Sequence, residues 1–236
     1  GGKTEESPIT EICFKNEIEV RNLSFSFPDG DTVIRNFSLT IPRGQCLGIQ
    51  GTSGSGKTTL FHLLLGFFPP TGGEICIDGT PLTTQNRASW HKLVGYVPQD
   101  IFIIHGSLAE NIALGQSHID REKIQRVLKQ VHLDEWLSTL PEGIDTPLGE
   151  YGSRLSGGQK QRIGIARALY KEAEVLFFDE ATSALDNATE SEITSALEEL
   201  SAQLHGITLI IIAHRDSSLR FCDKIINIEN YCSSSL

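Results

Sequence analysis

The stretch "GTSGSGKTT" (residues 51–59) decides the fold. It fits the pattern G-x-x-x-x-G-K-[ST], with Lys57 and Thr58 closing it. The apolar run "CLGIQ" (46–50) before it is typical of a buried strand, and "LFHLLLGF" continues as a helix. A glycine-rich loop between a strand and a helix turns its backbone N–H groups toward phosphate oxygens. The alternative is a chance glycine-rich turn, which both flanks disfavour.

Strands and helices alternate along the rest of the chain. Strand patterns fall at 18–27, 33–41, 74–79, 93–98, 175–180 and 207–214. Helix patterns fall at 120–140, with Asp120 as N-cap, and at 191–206, with Gly206 as C-cap. Ile193, Leu197, Leu200 and Leu204 share one face of the later helix. This alternation predicts an α/β fold whose mostly parallel sheet is covered on both faces.

Composition excludes several classes of protein. A net charge of −10 over 236 residues argues against nucleic acid as a partner. The apolar stretches are too short to cross a bilayer. Cysteines 13, 46, 76, 222 and 232 are scattered and odd in number, which fits reduced thiols better than disulfides or zinc. The chain lacks methionine and begins "GGK", so we expect a domain excised from a longer product.

A second group of polar residues follows predicted strands. "VLFFDE" ends in Asp179, which we expect to hold Mg²⁺, and Glu180, which we expect to orient or deprotonate an attacking water. Gln99 and His214 also follow strand patterns, where they could face a γ-phosphate. Each of these residues taken alone is compatible with an ordinary strand end. Together with the phosphate loop they indicate nucleotide hydrolysis, in which Lys57 binds the β- and γ-phosphates and Thr58 ligates Mg²⁺.

The stretch "RLSGGQKQR" (154–162) places two glycines at the start of a predicted helix. One interpretation is a loop that needs positive φ angles. The other is a surface for an anion, because a helix start offers unpaired N–H groups and the positive end of its dipole.

With these motifs, the chain resembles the nucleotide-binding domain of ATP-binding cassette (ABC) transporters over nearly its whole length. "GTSGSGKTT" is similar to the Walker A motif, "VLFFDE" to Walker B, "YVPQD" to the Q-loop, "LSGGQ" to the signature, "SALD" (183–186) to the D-loop and His214 to the switch histidine. The resemblance implies a P-loop NTPase core, an N-terminal antiparallel β subdomain and an inserted α-helical subdomain at about 100–170. It also implies a lead-in at 1–16 and an ATPase domain at 17–236.

The resemblance further implies Mg²⁺-dependent ATP hydrolysis between two domains paired head to tail. The residues implied to contact ATP within one domain are Phe27, stacking on adenine where the family usually has tyrosine, and Gly51, Thr52, Ser53, Gly54, Ser55, Gly56, Lys57, Thr58 and Thr59. The residues implied to close on the other domain's ATP are Ser156, Gly157, Gly158 and Gln159. The metal ligands implied are Thr58, Gln99 and Asp179, and the catalytic residues are Glu180, His214, Gln99 and Lys57.

A finer resemblance is to exporters, whose domain is fused behind a membrane domain at the cytoplasmic face of the cell membrane. "PQDIFIIHGSLAENIALG" is similar to the exporter segment that meets this membrane domain, so residues 101–112 are expected to dock there. Glu150 falls where exporters carry a cross-linking loop. Alternatives are an importer subunit and a soluble ABC protein without a transport role, and the transported substrate stays open. After His214 the family's further strand and closing helices are expected to be missing.

Overall fold

The computed structural model describes residues 9–52, 54–149, 155–180, 187–203 and 206–231. Its strands are β1 Glu17–Ser26, β2 Thr32–Pro42, β3 Cys46–Gln50, β4 Gly72–Ile77, β5 Thr80–Pro81, β6 Val94–Val97, β7 Val175–Asp179, β8 Thr208–Ile212 and β9 Lys224–Asn227. Its α-helices are α1 Lys57–Leu64, α2 Arg87–Leu93, α3 Leu108–Ile112, α4 Arg121–Gln130, α5 Asp134–Ser138, α6 Gly157–Tyr170 and α7 Asn187–Gln203. Short 3₁₀ helices cover Gly143–Asp145, Asp216–Leu219 and Ile228–Tyr231. Described residues up to 43, from 54 to 93 and from 228 onward form one compact unit, and the remainder form a second.

An antiparallel sheet organises the first unit, with strand order β2-β1-β4-β5. Buried residues alternate along β1 except at exposed Arg21 and Asn22, and Ile18 pairs with Ile41 of β2 on one side and Ile77 of β4 on the other. Helix α1 buries its apolar face, and Trp90 of α2 donates its indole N–H to the Leu64 carbonyl at 2.9 Å. The predicted antiparallel β subdomain is confirmed.

A parallel sheet with strand order β6-β7-β8-β3-β9 forms the core of the second unit. All residues of β7 and β8 are buried, as expected for strands covered on both faces. The expectation that the chain lacks a further strand after His214 is wrong, because β9 pairs with β3, placing Leu47 opposite Lys224. β9 has four residues, two of them exposed, so its sequence alone carries little strand signal.

Helices α3 to α6 lie between β6 and β7 in the chain. Asp120 caps α4 as predicted, accepting a hydrogen bond from the Lys123 N–H at 3.1 Å. The helix pattern over 120–140 is broken at His132, whose φ of 59° is left-handed, so two helices form instead of one. In α7, Ile193, Leu197 and Leu200 are buried. Leu204 lies outside the described residues.

The lead-in contributes to the core of the first unit. Ile12 and Phe14 are buried, and the Phe14 ring meets the Trp90 ring edge-on at 6.1 Å. The Ile12 N–H donates to the Ser89 hydroxyl at 2.9 Å. The boundaries 1–16 and 17–236 stay a prediction.

Candidate active site

Four predicted site positions follow the carboxyl ends of neighbouring parallel strands. Gln99 comes two residues after β6, Asp179 ends β7, and His214 comes two residues after β8. Residue Gly51 follows β3 directly and begins the phosphate loop. Since these strands are all parallel, their carboxyl ends lie side by side along one edge of the sheet, the carboxyl-terminal edge. This is the edge at which open α/β sheets bind ligands.

Asp179 is fully buried at this edge. Its carbonyl accepts a hydrogen bond from Gln161 Nε2 of α6 at 3.5 Å. Tyr96, on the neighbouring strand β6, has its pKa raised to about 12 by burial and then by the Asp179 charge. The Asp179 charge therefore acts on Tyr96 of β6, an interaction that the sequence did not reveal.

Backbone groups of other residues hold Glu180 at two points, its backbone N–H and its side-chain carboxylate. Its N–H donates to the Ile212 carbonyl at 3.0 Å, and its Oε2 accepts from the His214 N–H at 2.7 Å. Burial raises the pKa of Glu180 to about 7, although the His214 N–H opposes the rise. The Glu180 carboxylate is thus linked to the backbone of His214, which follows the neighbouring strand β8.

Sequence reasoning missed Glu190 of α7, which adds to the raised pKa of Glu180. Its carboxylate accepts from the Ser218 hydroxyl at 3.0 Å and pairs with Arg215 Nη1 at 3.0 Å. Because Arg215 follows His214 directly, this network ties α7 to the segment that holds Glu180. Glu190 carries no local motif, so its role is visible only once the elements are packed.

The phosphate loop has the backbone that its glycines were expected to provide. Gly54 and Gly56 have φ angles of 80° and 95°, which L side chains rarely adopt. A Cβ at Gly56 would lie 2.8 Å from Val33 Cγ1. A Cβ at Gly54 would have no described neighbour within 4 Å. Helix α1 begins at Lys57, which is buried, and has no acidic residue in its first turn. This is a helix start suited to an anion.

Phe27 lies at the exposed side of an aromatic cluster in the first unit. It is 37% exposed and meets the Phe25 ring edge-on at 5.0 Å. Phe68 stacks on Phe25 at 5.7 Å and completes the cluster. Phe27 is thus held by neighbouring rings and still partly exposed, which suits contact with a planar ligand.

The signature begins α6, and its backbone decides against one of the two interpretations of its glycines. Ser156 and Gln159 form a capping box, in which the Ser156 hydroxyl accepts from the Gln159 N–H at 3.1 Å and Gln159 Oε1 from the Ser156 N–H at 3.0 Å. Gly157 and Gly158 are helical, and neither has a positive φ, so the positive-φ interpretation is wrong. Ser156 and Gly157 are exposed. The helix start is therefore accessible.

The segment after Gln99 is irregular until α3 begins at Leu108, and two side chains hold it. Phe102 is 65% exposed, and Arg167 of α6 lies 5.3 Å above its ring while donating to the Phe102 carbonyl at 3.0 Å. Buried Asn111 accepts from the Ile104 N–H at 2.9 Å. A cavity of about 540 Å³ lies beside the segment, lined by Tyr96, Pro98, Ile101, Phe102, Ile112 and Tyr170.

Some predicted positions lie outside the described residues, namely Ser53, Glu150 and the "SALD" stretch at 183–186. Within the part that the structure describes, three or more His, Cys, Asp or Glu side chains do not cluster as a metal site. Among the described helices, none has the length and apolarity needed to span a bilayer.

Comparison with known proteins decides the family. The family model for ABC transporters matches residues 34–183, which include the phosphate loop, the strand ends up to Glu180 and the signature. The chain belongs to the ABC transporter family. This domain resembles a solved bacterial Atm1-family ABC exporter with ATP bound, with a TM-score of 0.83 and 34% identity over 92% of this chain and 38% of that one.

Curated relatives of this ABC transporter domain include two ATP-dependent lipid A-core flippases. That of Saccharophagus degradans is 43% identical over 92% of this chain, and that of Ralstonia nicotianae is 39% identical over 92%. An uncharacterised ABC transporter ATP-binding protein of Bacillus subtilis is 41% identical over 92%. The chain spans 36% or 37% of the length of these relatives.

Proposed function

We propose that this chain binds and hydrolyses ATP to drive an exporter in a membrane. The observation that carries the proposal is the set of polar residues at one edge of the parallel sheet, at which β3 also runs into the phosphate loop. The likeness to flippases and to an Atm1-family exporter favours export over the alternative of an importer subunit. The second alternative, a soluble ABC protein without a transport role, gains no support from these relatives.

The loop fits the triphosphate of ATP. Gly54 leaves open space where a side chain would project, and the N–H groups at the start of α1 are suited to phosphate oxygens. Lys57 would bind the β- and γ-phosphates with its charge. Thr52, Ser55 and Thr59 would donate from hydroxyls or backbone N–H groups along the same loop.

The residues proposed for Mg²⁺ also fit that ion. Thr58 offers a hydroxyl, Gln99 an amide oxygen and Asp179 a carboxylate, which are the oxygen ligands that Mg²⁺ prefers. Few protein ligands suffice, because Mg²⁺ usually keeps several waters and binds phosphates as well. When bound, the ion neutralises charge on the phosphates during transfer.

Glu180 is proposed as the base that accepts a proton from the attacking water. Its backbone contacts hold the carboxylate in place before the substrate arrives, which avoids the cost of reorganisation. His214 is proposed to contact the γ-phosphate from the neighbouring strand end. Its N–H already binds Glu180, so movement of either residue is transmitted to the other.

One experiment with three variants tests the ATPase. Lys57→Ala should weaken binding of a fluorescent ATP analogue about tenfold or more, because a charged hydrogen bond to phosphate is lost. Glu180→Gln should retain binding but lose about 10²- to 10⁴-fold in hydrolysis, because an amide is not a base. Lys129→Ala, at an exposed position of α4, is the control and should match the parent. Hydrolysis by Glu180→Gln at the parental rate would refute the role of Glu180.

Two partners are proposed. The first is a second ATP-binding domain, whose ATP the exposed start of α6 would approach in a head-to-tail dimer. The second is a membrane domain, fused upstream in the full-length protein, which would place this domain at the cytoplasmic face of the membrane. The chain's coverage of little more than a third of its relatives is compatible with such a domain.

The membrane domain is proposed to dock at residues 101–112. Phe102 offers an exposed ring beside the cavity of about 540 Å³, a combination more typical of contact than of solvent exposure. A cysteine introduced at Phe102 in the full transporter should form disulfide cross-links with cysteines introduced in cytoplasmic loops of the membrane domain. A cysteine at exposed Lys129 is the control. Equal cross-linking from both positions would count against docking at this segment.

A further inference from the structure

Two cysteines that are far apart in the sequence meet in the second unit. Cys46 begins β3 and is buried, and Cys222 lies two residues before β9 and is half-buried. Their Sγ atoms are 3.3 Å apart, with the Cys46 thiol donating to Cys222. This pair takes no part in the proposed ATPase chemistry.

Backbone hydrogen bonds hold the segment that contains Cys222 against the start of β3. The Asp223 N–H donates to the Cys46 carbonyl at 2.8 Å, and the Cys46 N–H donates to Asp223 Oδ2 at 2.8 Å. Pairing of β3 with β9 then continues at Leu47 and Lys224. Cys222 directly precedes Asp223, so the two cysteines lie on adjacent segments, one position out of register. To form a disulfide the two sulfurs have to approach from 3.3 Å to about 2.05 Å.

The Cys222 sulfur is confined to the face of β3. The Cys222 N–H donates to the Leu219 carbonyl at 3.0 Å, which fixes the turn before β9. A Cβ added at Gly48 would lie 3.2 Å from Cys222 Sγ, so the sulfur packs directly over the strand. With the strand below and Cys46 beside it, Cys222 loses little further freedom when a bond forms.

The two thiols differ in character. The hydrogen bond from Cys46 lowers the pKa of Cys222, although burial and the Asp223 charge oppose this. The same hydrogen bond, together with burial, raises the pKa of Cys46. Cys222 is therefore both the more exposed residue and the better nucleophile, since the thiolate is the reactive form.

We propose that Cys46 and Cys222 form a redox modification site that peroxide converts into a disulfide. The Cys222 thiolate attacks one peroxide oxygen, and the other leaves as hydroxide, which takes a proton to become water. The sulfenic acid formed on Cys222 is attacked by the Cys46 sulfur, which gives up its proton as a second water leaves. Two thiols are oxidised to one disulfide, and one peroxide is reduced to two waters.

This disulfide would fasten strand β9 of the parallel sheet to its neighbour β3. Among the strands that the structure describes, β9 is the last in the order of this sheet, and its one neighbour is β3. Since the bond would join positions 176 residues apart, it would constrain the unfolded chain strongly. We expect oxidation to raise the Tm by about 4 °C or more.

The test treats the purified chain with hydrogen peroxide and maps its peptides without reduction. The expected product is one linked pair of peptides containing Cys46 and Cys222, lighter by two hydrogens, which dithiothreitol separates. Cys222→Ser should abolish the linked pair and the Tm rise. Cys13→Ser, at an exposed cysteine, is the matched control and should keep both.

Two results would overturn the proposal. One is a wild-type map in which Cys222 is unmodified or over-oxidised and the linked peptides are absent, a measurement that needs no variant to fold. The other is a linked pair whose formation leaves the Tm unchanged, which would remove the fastening role. Neither result bears on ATP hydrolysis, which the reduced protein tests separately.

Discussion

Single residues carry chemistry that the sequence identifies, together with contacts that it does not. Ser156 and Gln159 were expected to meet the partner's nucleotide, yet in this chain each caps the other at the start of α6. The two roles are compatible, because a capping serine keeps its hydroxyl hydrogen available for donation. The consequence is that a substitution at Ser156 changes helix stability as well as ligand contact. Glu180 has a similar double character, since the backbone N–H of His214 holds its carboxylate.

Phe27 gives the prediction at this scale. If its exposed face stacks on adenine, Phe27→Ala should cost about 1 kcal/mol, or about a fivefold loss of ATP affinity, and Phe27→Tyr should cost little. Phe67→Ala is a matched control, because Phe67 is 42% exposed in the same unit and has no proposed role. Affinity is measured by titration with a fluorescent ATP analogue. An equal loss in Phe27→Ala and Phe67→Ala would show that Phe27 does not stack on the base.

Strands and helices form where the sequence predicts them if the local pattern is long. Where the local pattern is short, packing decides whether a strand or helix forms. β7 and β8 were predicted from uninterrupted apolar runs, and both are wholly buried. β9 was missed because its four residues form a strand through pairing with β3. The helix expected over 120–140 breaks at His132, where the Leu133 N–H bonds back to the Leu128 carbonyl at 2.9 Å.

The contact between β6 and α6 gives a prediction for an element. Gly95 of β6 is buried, and a Cβ there would clash with the Cβ of Ala168 in α6. Gly95→Ala should therefore lower the free energy of unfolding by about 1–3 kcal/mol. Gly106→Ala is the control, since its nearest neighbouring atom would be 3.4 Å away, and it should leave stability unchanged or slightly raised. Urea unfolding measures both, and equal stabilities would refute the close packing.

At the scale of the whole molecule, the accessible start of α6 matters because ABC transporter domains are proposed to act in pairs. Ser156→Asp keeps a good N-cap residue but brings a negative charge toward the partner's phosphate, so it should abolish hydrolysis. Ser156→Asn keeps the cap without the charge and is the matched control. Nucleotide binding by the single domain should survive in both variants.

Enforced heterodimers isolate the action in trans. Pairing Ser156→Asp with Lys57→Ala places both defects in one composite site and leaves the other intact, so part of the activity lost in each homodimer should return. Pairing Ser156→Asp with Lys129→Ala is the positive control for assembly. If the signature acts within its own subunit, every site carries one defect, and activity no higher than in either homodimer would refute the head-to-tail arrangement.

The sequence by itself determined the family, the phosphate loop and the strand-end residues Gln99, Asp179 and His214. These depend on local patterns, in which a glycine, an apolar run or a terminal acid already specifies the backbone around it. The parallel sheet was predicted for the same reason, whereas the antiparallel sheet was implied by the resemblance to the family. The tertiary structure alone decided the β9 pairing, the Glu190 contacts and the meeting of Cys46 with Cys222. Each of these joins segments remote in the chain, and such contacts arise from packing, which leaves no periodic signal in either segment.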